Sequence, residues 1–179
     1  MVWCRGQDAA SKAHHCANTT VMYHNEKNMI RRKVRKIDFN DKPYLIWNSF
    51  IDIVAMEAED DLNEVQIIGQ KAFIYDSEIQ NGGHMQFFEN TKLTNYKPFI
   101  DALKNMSAFE HANILIEAVR IYESKQRNEI KDKYEYSSIA LDGEFDKLDF
   151  KYYRTKPELT ELMQSFLKEN EDQFIELTE

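Results

Sequence analysis

Glycine, proline and cysteine are scarce in this chain of 179 residues, which holds five glycines, three prolines and two cysteines. Because glycine and proline interrupt regular structure, their scarcity favours a protein built mostly of regular elements. Both cysteines, Cys4 and Cys16, lie near the start of the sequence, and the rest of the chain has none. This distribution excludes a scaffold stapled by disulfide bonds.

Long hydrophobic runs are absent too. No stretch approaches the roughly 18 apolar residues that would indicate a membrane span. The first residues do not pair a basic segment with an apolar one, so we expect no secretory signal peptide and a cytoplasmic protein. With 42% hydrophobic and 12% aromatic residues, the composition is still that of a globular domain with a sizeable core.

Charge is distributed unevenly along the chain. Residues 1–37 hold eight basic and two acidic residues, whereas the remaining 142 hold 15 basic and 29 acidic residues and carry a net charge of −14. Such a body should repel nucleic acid and anionic membranes and attract basic partners, although acidity also serves plain solubility. The basic cluster at 31–36 is either a nucleic-acid or localisation tract or, as we favour, part of a tail that folds against the acidic body.

Apolar periodicity predicts one all-α domain over residues 41–179, with six to eight helices and no strand. The predicted helices cover about 43–57, 61–80, 84–90, 98–106, 109–125, 145–154 and a last one from Pro157, with a partly helical connection at 126–144 and a short turn near 171–177. Residues 1–40 lack this periodicity, and we predict that they form a disordered basic tail.

Residues 78–90 contain two adjacent glycines, Gly82 and Gly83, between two segments with helical periodicity. A glycine pair at such a join predicts a left-handed helix end followed by a fresh helix start, with positive φ at one of the two. The polar side chains nearby could cap both helix ends; these are Glu78, Gln80, Asn81, Gln86 and Asn90. We interpret the segment as a structural elbow.

The run from Glu78 to Asn90 resembles the signature of a bacterial family, domain of unknown function 4375. The matching residues are Glu78, Asn81, Gly82, Gly83, Gln86, Phe87, Phe88 and Asn90, while His84 stands where an aromatic residue is more usual. The resemblance implies an all-helical domain over about residues 43–177. The best-known member of that family is regarded as an acidic DNA mimic that occupies the DNA-binding face of a transcription regulator, which implies a similar role here.

Acidic clusters are the predicted partner-binding surface. Two of them comprise Glu57, Glu59, Asp60, Asp61 and Glu64, and Asp142, Glu144, Asp146 and Asp149. A third lies near the end of the sequence and comprises Glu158, Glu161, Glu169, Glu171, Asp172, Glu176 and Glu179. Helical carboxylates three or four residues apart lie about 5–6 Å from each other, and DNA carries one charge per about 3.4 Å on each strand. We therefore predict a non-enzymatic protein that binds a basic, DNA-binding protein such as a transcription regulator.

Two alternatives stay open. An immunity-type inhibitor of a basic toxin would share the acidic body, and only the neighbouring genes would separate it from the first prediction. An enzyme would use a polar pocket around Glu78, His84, Gln86 and Asn90.

We expect neither a cofactor nor a metal. The sequence shows no phosphate-binding glycine loop and no nucleophile motif, and we interpret His84 and His111 as structural. The candidate soft ligands near the start lack zinc-site spacing; these are Cys4, His14, His15, Cys16 and His24.

Overall fold

The computed structural model describes residues 29–126 and 130–179, and within these ranges the chain is overwhelmingly helical. The elements are, in order, β1 Arg32–Arg35, α1 Lys36–Asp41, α2 Tyr44–Met56, a 3-10 turn Glu59–Asp61, α3 Glu64–Thr91, α4 Lys97–Asn105, α5 Phe109–Glu123, α6 Lys133–Leu141, α7 Asp146–Arg154, α8 Leu159–Glu169, a second 3-10 turn Glu171–Gln173, and β2 Ile175–Thr178. The all-α prediction is confirmed.

The prediction that no strand occurs is wrong, because β1 and β2 form a parallel pair. Arg32 lies opposite Ile175 and Val34 opposite Leu177. Strands of four residues are too short to show a clear period of two. The turn predicted near residues 171–177 is the second 3-10 turn at its start, and β2 occupies its last three residues.

Residues 29–40, the described part of the predicted tail, belong to the folded domain and form β1 and most of α1. Val34 is only 5% exposed and joins the core. Arg32 forms ion pairs with Asp52, which lies on α2, and with Glu57, which directly follows that helix. The interpretation that the basic cluster folds against the acidic body is thus confirmed for β1, while residues 1–28 lie outside the described residues.

α3 is the central element and packs against α2, α4, α7 and α8. It begins at an Asn63 cap, whose side chain accepts a 2.9 Å hydrogen bond from the backbone N–H of Gln66. The Gln66 side chain accepts one in return from the N–H of Asn63, at 3.1 Å. This capping box makes Glu64 the first residue of the helix, a few residues after the predicted start at about residue 61.

A sharp bend divides α3 at the glycine pair. Gly82 has φ −168° and Gly83 has φ +72°, so the helical hydrogen-bond pattern is interrupted there. We call residues 64–81 the first arm and residues 84–91 the second arm. Gly83 takes the positive φ that the sequence predicts at this join.

The second arm is held by aromatic packing. Phe87 and Phe88 are completely buried. The Phe88 ring stacks on Tyr122 of α5 with ring centroids 4.2 Å apart, and its edge contacts Tyr96 at 5.1 Å. Phe87 packs against Phe99 of α4 at 5.2 Å. The bend therefore directs both rings into the core, where they tie α3 to α4 and α5.

The described helices include none with the length and apolar character needed to cross a membrane.

Candidate functional site

A hydrogen-bonded chain of three side chains crosses the bend of α3. The Nδ1 atom of His84 lies 2.5 Å from Oδ1 of Asp149 on α7, and its Nε2 atom lies 3.0 Å from the hydroxyl of Tyr75 on the first arm. Because the carboxylate can only accept, Nδ1 carries the proton and Nε2 accepts from Tyr75. Burial raises the pKa of the Tyr75 phenol well above its usual value, which keeps this donor protonated.

Asp149 also caps the second arm. The backbone N–H of His84, the first residue of that arm, donates to Oδ1 of Asp149 at 3.0 Å. Gly83 makes this approach possible, since a Cβ at that position would lie 2.4 Å from Oδ2 of Asp149. The capping group thus comes from α7, 65 residues further along the chain, and not from the local polar side chains that the sequence suggests.

The local polar side chains form a second bridge across the bend. Oε2 of Glu78 accepts hydrogen bonds from Gln86 at 2.9 Å and from Asn90 at 2.8 Å. Asn81 is exposed. Glu78 therefore links the two arms, which supports the interpretation of the segment as a structural elbow.

A catalytic pocket around Glu78, His84, Gln86 and Asn90 does not fit this geometry. His84 has no exposed surface at all, and its ring lies between aromatic rings, with Phe145 at 6.1 Å and Phe88 at 6.4 Å. The imidazole cannot reach a substrate from solvent. It takes the packing position where the resemblance expects an aromatic ring.

Three of the nine predicted partner-binding carboxylates have internal roles instead. Asp149 binds His84, Glu57 forms an ion pair with Arg32, and Glu144 forms one with Lys125 at 2.6 Å. All three are partly buried. Sequence separation conceals such roles, because each partner lies on a different element.

The other six lie at exposed helix ends and turns rather than along helix faces. They are Glu59, Asp60 and Asp61 in the 3-10 turn, Glu64 at the start of α3, Asp142 after α6 and Asp146 at the start of α7. A carboxylate at a helix start is favourable because it faces the positive end of the helix dipole. The predicted rows of carboxylates on helix faces are therefore absent from these two clusters.

The fold joins two acidic segments that are distant in sequence. Gln66, which is completely buried, donates from Nε2 to the carbonyl of Gln173 at 2.7 Å and to that of Ile30 at 2.6 Å. Asn63 contacts the Gln173 side chain at 3.4 Å. The second 3-10 turn therefore lies against the start of α3. We call the result the joined acidic surface; its residues are Glu59, Asp60, Asp61, Glu64, Glu171 and Asp172.

Ion pairs neutralise only part of the joined acidic surface, so much of it stays negatively charged. Glu59 is paired with Lys71. Asp61, Glu64 and Asp172 are exposed, and within residues 29–126 and 130–179 none of these three forms a salt bridge. Basic side chains are present beside it, since Arg31 follows Ile30 and is exposed.

A separate polar cavity of about 170 Å³ lies between the first arm of α3, α5, α7 and the start of α8. Its lining residues are Asp76, Gln80, His111, Tyr152, Tyr153, Glu158, Leu159 and Thr160. His111 and Tyr152 are buried at its floor, whereas Gln80, Tyr153 and Glu158 are exposed at its mouth. The sequence did not predict this cavity, because its residues come from four helices and share no motif.

Acidification is expected to destabilise the protein through His111. Burial lowers the pKa of this imidazole below the usual 6.5, while Asp76 and Glu110 act weakly in the opposite direction. Below about pH 6.5 the imidazole is therefore protonated in the unfolded chain but stays neutral in the folded chain. The free energy of unfolding consequently falls as the pH decreases from about 6.5 towards the pKa of His111 in the folded state.

This pH dependence is measured by urea denaturation at pH 7.5 and pH 5 for the wild type and for His111→Gln. The substitution should make the loss of stability between the two values smaller. The other titratable groups around the ring are unchanged in this variant and serve as an internal reference; they are Asp76, Glu110, Tyr152, Tyr153 and Glu158. An identical loss in both proteins would contradict the assignment.

Metal-binding geometry is not found in the described ranges, where no three histidine, cysteine, aspartate or glutamate side chains group in a way that could hold an ion. The candidate ligands Cys4, His14, His15, Cys16 and His24 lie outside those ranges.

The structure defines a small helical domain with a bent central helix, a cap supplied from α7 and an acidic surface. The chain matches the family model described as DMP19-like protein over residues 60–170, which include the elbow and Asp149 but neither strand. The chain therefore belongs to the DMP19-like protein family. No curated protein and no solved structure gives a significant match.

Proposed function

We propose that this protein is a non-enzymatic, acidic binding protein that acts as a DNA-mimic-like inhibitor of a basic, DNA-binding protein such as a transcription regulator. The observation that carries the proposal is the joined acidic surface, in which Asp61 and Glu64 lie close to a second acidic segment with Asp172. The resemblance of the Glu78–Asn90 run to the family of unknown function 4375 supports the same proposal.

The anchoring of this surface supports a mimic. The hydrogen bond from Gln66 to the carbonyl of Gln173 ties the second 3-10 turn to the start of α3, so the backbone that carries the acidic residues is in place before a partner arrives. A preorganised surface loses less conformational entropy on binding than a mobile one. DNA likewise presents its charges on a semi-rigid frame, and a DNA-binding face is complementary to such an arrangement.

The first experiment is capture from a cell lysate at low salt, followed by a competition assay. The captured protein should be basic, should dissociate as salt is raised, and should be displaced from labelled DNA by this protein. Recovery of a toxin nuclease would favour the immunity-type alternative. Capture of no basic or nucleic-acid-binding protein would refute the proposal.

Charge reversal should separate binding from stability. In the double variant Asp61→Lys/Glu64→Lys, the first change should alter the free energy of unfolding by less than about 0.5 kcal/mol. The second should cost about 0.3–1 kcal/mol because Glu64 lies in the first turn of α3. Affinity for the captured partner should fall at least about tenfold, since like charges then face each other.

The matched control is Glu110→Lys/Glu117→Lys on α5. Both residues are exposed, and Glu110 also lies in the first turn of its helix, so the change in net charge and the effect on the helix dipole are comparable. This control should retain most of the affinity, as isothermal titration calorimetry would show. An equal loss in both variants would mean that net charge, and not the joined acidic surface, determines binding.

A further inference from the structure

The cavity between α3, α5, α7 and α8 is lined by a buried histidine that has no hydrogen-bond partner among the described residues. His111 is 2% exposed and lines the cavity. Its ring packs edge-on against Tyr152, with centroids 5.2 Å apart. In the described part of the chain it forms no hydrogen bond. A neutral imidazole offers one N–H donor and one acceptor nitrogen, so His111 has unused hydrogen-bonding capacity beside the cavity.

Asp76 is the second unusual group in this cavity. Its Oδ1 atom accepts a 2.5 Å hydrogen bond from the Tyr152 hydroxyl, and its Oδ2 atom accepts a longer one, at 3.3 Å, from Thr160. A carboxylate has about four acceptor sites, so capacity remains. Within the described ranges Asp76 has no basic partner. A half-buried charge without a counter-ion is unfavourable, and a cation in the cavity would offset that cost.

We propose that this cavity binds a small organic cation, an ammonium or guanidinium group, with Asp76 as its counter-ion and His111 as a hydrogen-bonding partner. The proposed function implies that the cation is the end of a lysine or arginine side chain of the basic partner, and this part of the inference rests on that function.

The charges around the cavity select against other ligands. Asp76 repels anions, while Glu158 at the mouth is paired with Lys156. Burial keeps His111 uncharged by lowering its pKa, so it does not oppose a cation at neutral pH. The aromatic rings of Tyr152 and Tyr153 also favour a cation. A volume of about 170 Å³ is below the roughly 300–1,000 Å³ of drug-sized sites and suits one side-chain end.

The test uses capped amino acids as probes of the intact protein. N-acetylarginine amide, N-acetyllysine amide and methylguanidinium are titrated while the ring resonances of His111 are followed by NMR. N-acetylcitrulline amide, which has nearly the same shape as the arginine probe and no charge, is the ligand control. At least one capped cation should shift the His111 resonances saturably, and the citrulline probe should not.

Two variants assign the counter-ion. Asp76→Asn keeps the acceptor for Tyr152 but removes the charge, and it should weaken binding of the capped cation at least tenfold while the melting temperature shows that the protein stays folded. Asp101→Asn, which removes a carboxylate paired with Lys97 on α4, should leave the affinity unchanged. Equal effects of the two variants would overturn the role of Asp76.

The outcomes also show whether the bound cation is a partner side chain or a free molecule, and they separate a failure of this site from a failure of the proposed function. Binding of methylguanidinium alone would retain the site but assign it to a free cation, and would overturn the partner side chain as its occupant. Absence of saturable binding by every cation, or equal binding of the citrulline probe, would overturn the site. Asp61→Lys/Glu64→Lys should bind the capped cation normally, so a failure of the joined acidic surface is recognised separately.

Discussion

Replacing Phe88 with alanine is expected to lower the free energy of unfolding by about 3–5 kcal/mol. The ring is fully buried and stacks on Tyr122, with further contacts to Tyr96 and Phe145. Removing it leaves a cavity among three elements, α3, α5 and the segment before α7, and their backbones cannot all move inward to fill it. Chemical denaturation followed by circular dichroism measures the change.

The control for this prediction is Phe109→Ala at the start of α5. The same side chain is removed there, but Phe109 is 58% exposed, so the loss of stability should be below about 1 kcal/mol. If the two variants were equally stable, Phe88 would not be the anchor of the second arm.

Gly83→Val is the other substitution with a large expected effect. Gly83 combines φ +72° with ψ −170°, a region that is essentially restricted to glycine and costs other residues about 1–3 kcal/mol. A Cβ there would also lie 2.4 Å from Oδ2 of Asp149 and would push this carboxylate away from His84. The buried imidazole would then lose its acceptor, at a further cost of about 1–3 kcal/mol.

The variant Gly82→Ala is the control for Gly83→Val. It shows whether any substitution at the bend destabilises the protein or whether the loss is specific to Gly83. Gly82 has φ −168°, which any residue adopts, and a Cβ there would crowd the Gln86 side chain, whose own Cβ would lie 3.1 Å away. The end of that side chain can move at the cost of its hydrogen bond to Glu78, so thermal melts should show a smaller change than for Gly83→Val, which also has the unfavourable φ and displaces Asp149. A larger loss for Gly82→Ala would contradict the role assigned to Asp149.

The sequence predicted those parts of the fold that depend on local signals. Long amphipathic helices such as α2 and α5 show a period that four-residue strands cannot, so the sequence predicts these helices to within a few residues but does not predict β1, β2 or the short helix α1. The glycine pair indicates the bend because the backbone conformation of Gly83 requires glycine. Pairings of distant residues had no such signal, and Asp149 was assigned to the surface although it binds His84.

The candidate sites likewise depend on contacts between residues that are distant in sequence. Composition revealed that the body is acidic, but only the hydrogen bonds of Gln66 bring Asp172 near Asp61. The cavity around Asp76 and His111 was not predicted, because a lone histidine and a lone aspartate on different helices carry no spacing that periodicity can detect. Burial of His84 likewise follows from tertiary packing and not from its immediate neighbours.

The parallel pairing of β1 with β2 has a consequence for how this protein folds. The two strands are more than 130 residues apart in sequence, so their pairing closes a very long loop. The entropy lost on closure grows only slowly with loop length, but contacts so remote in sequence form late and slow the overall reaction. The helices around α3 should therefore assemble first. The strand pair should then form last, together with the hydrogen bonds from Gln66 to Ile30 and Gln173, on a core that is already packed.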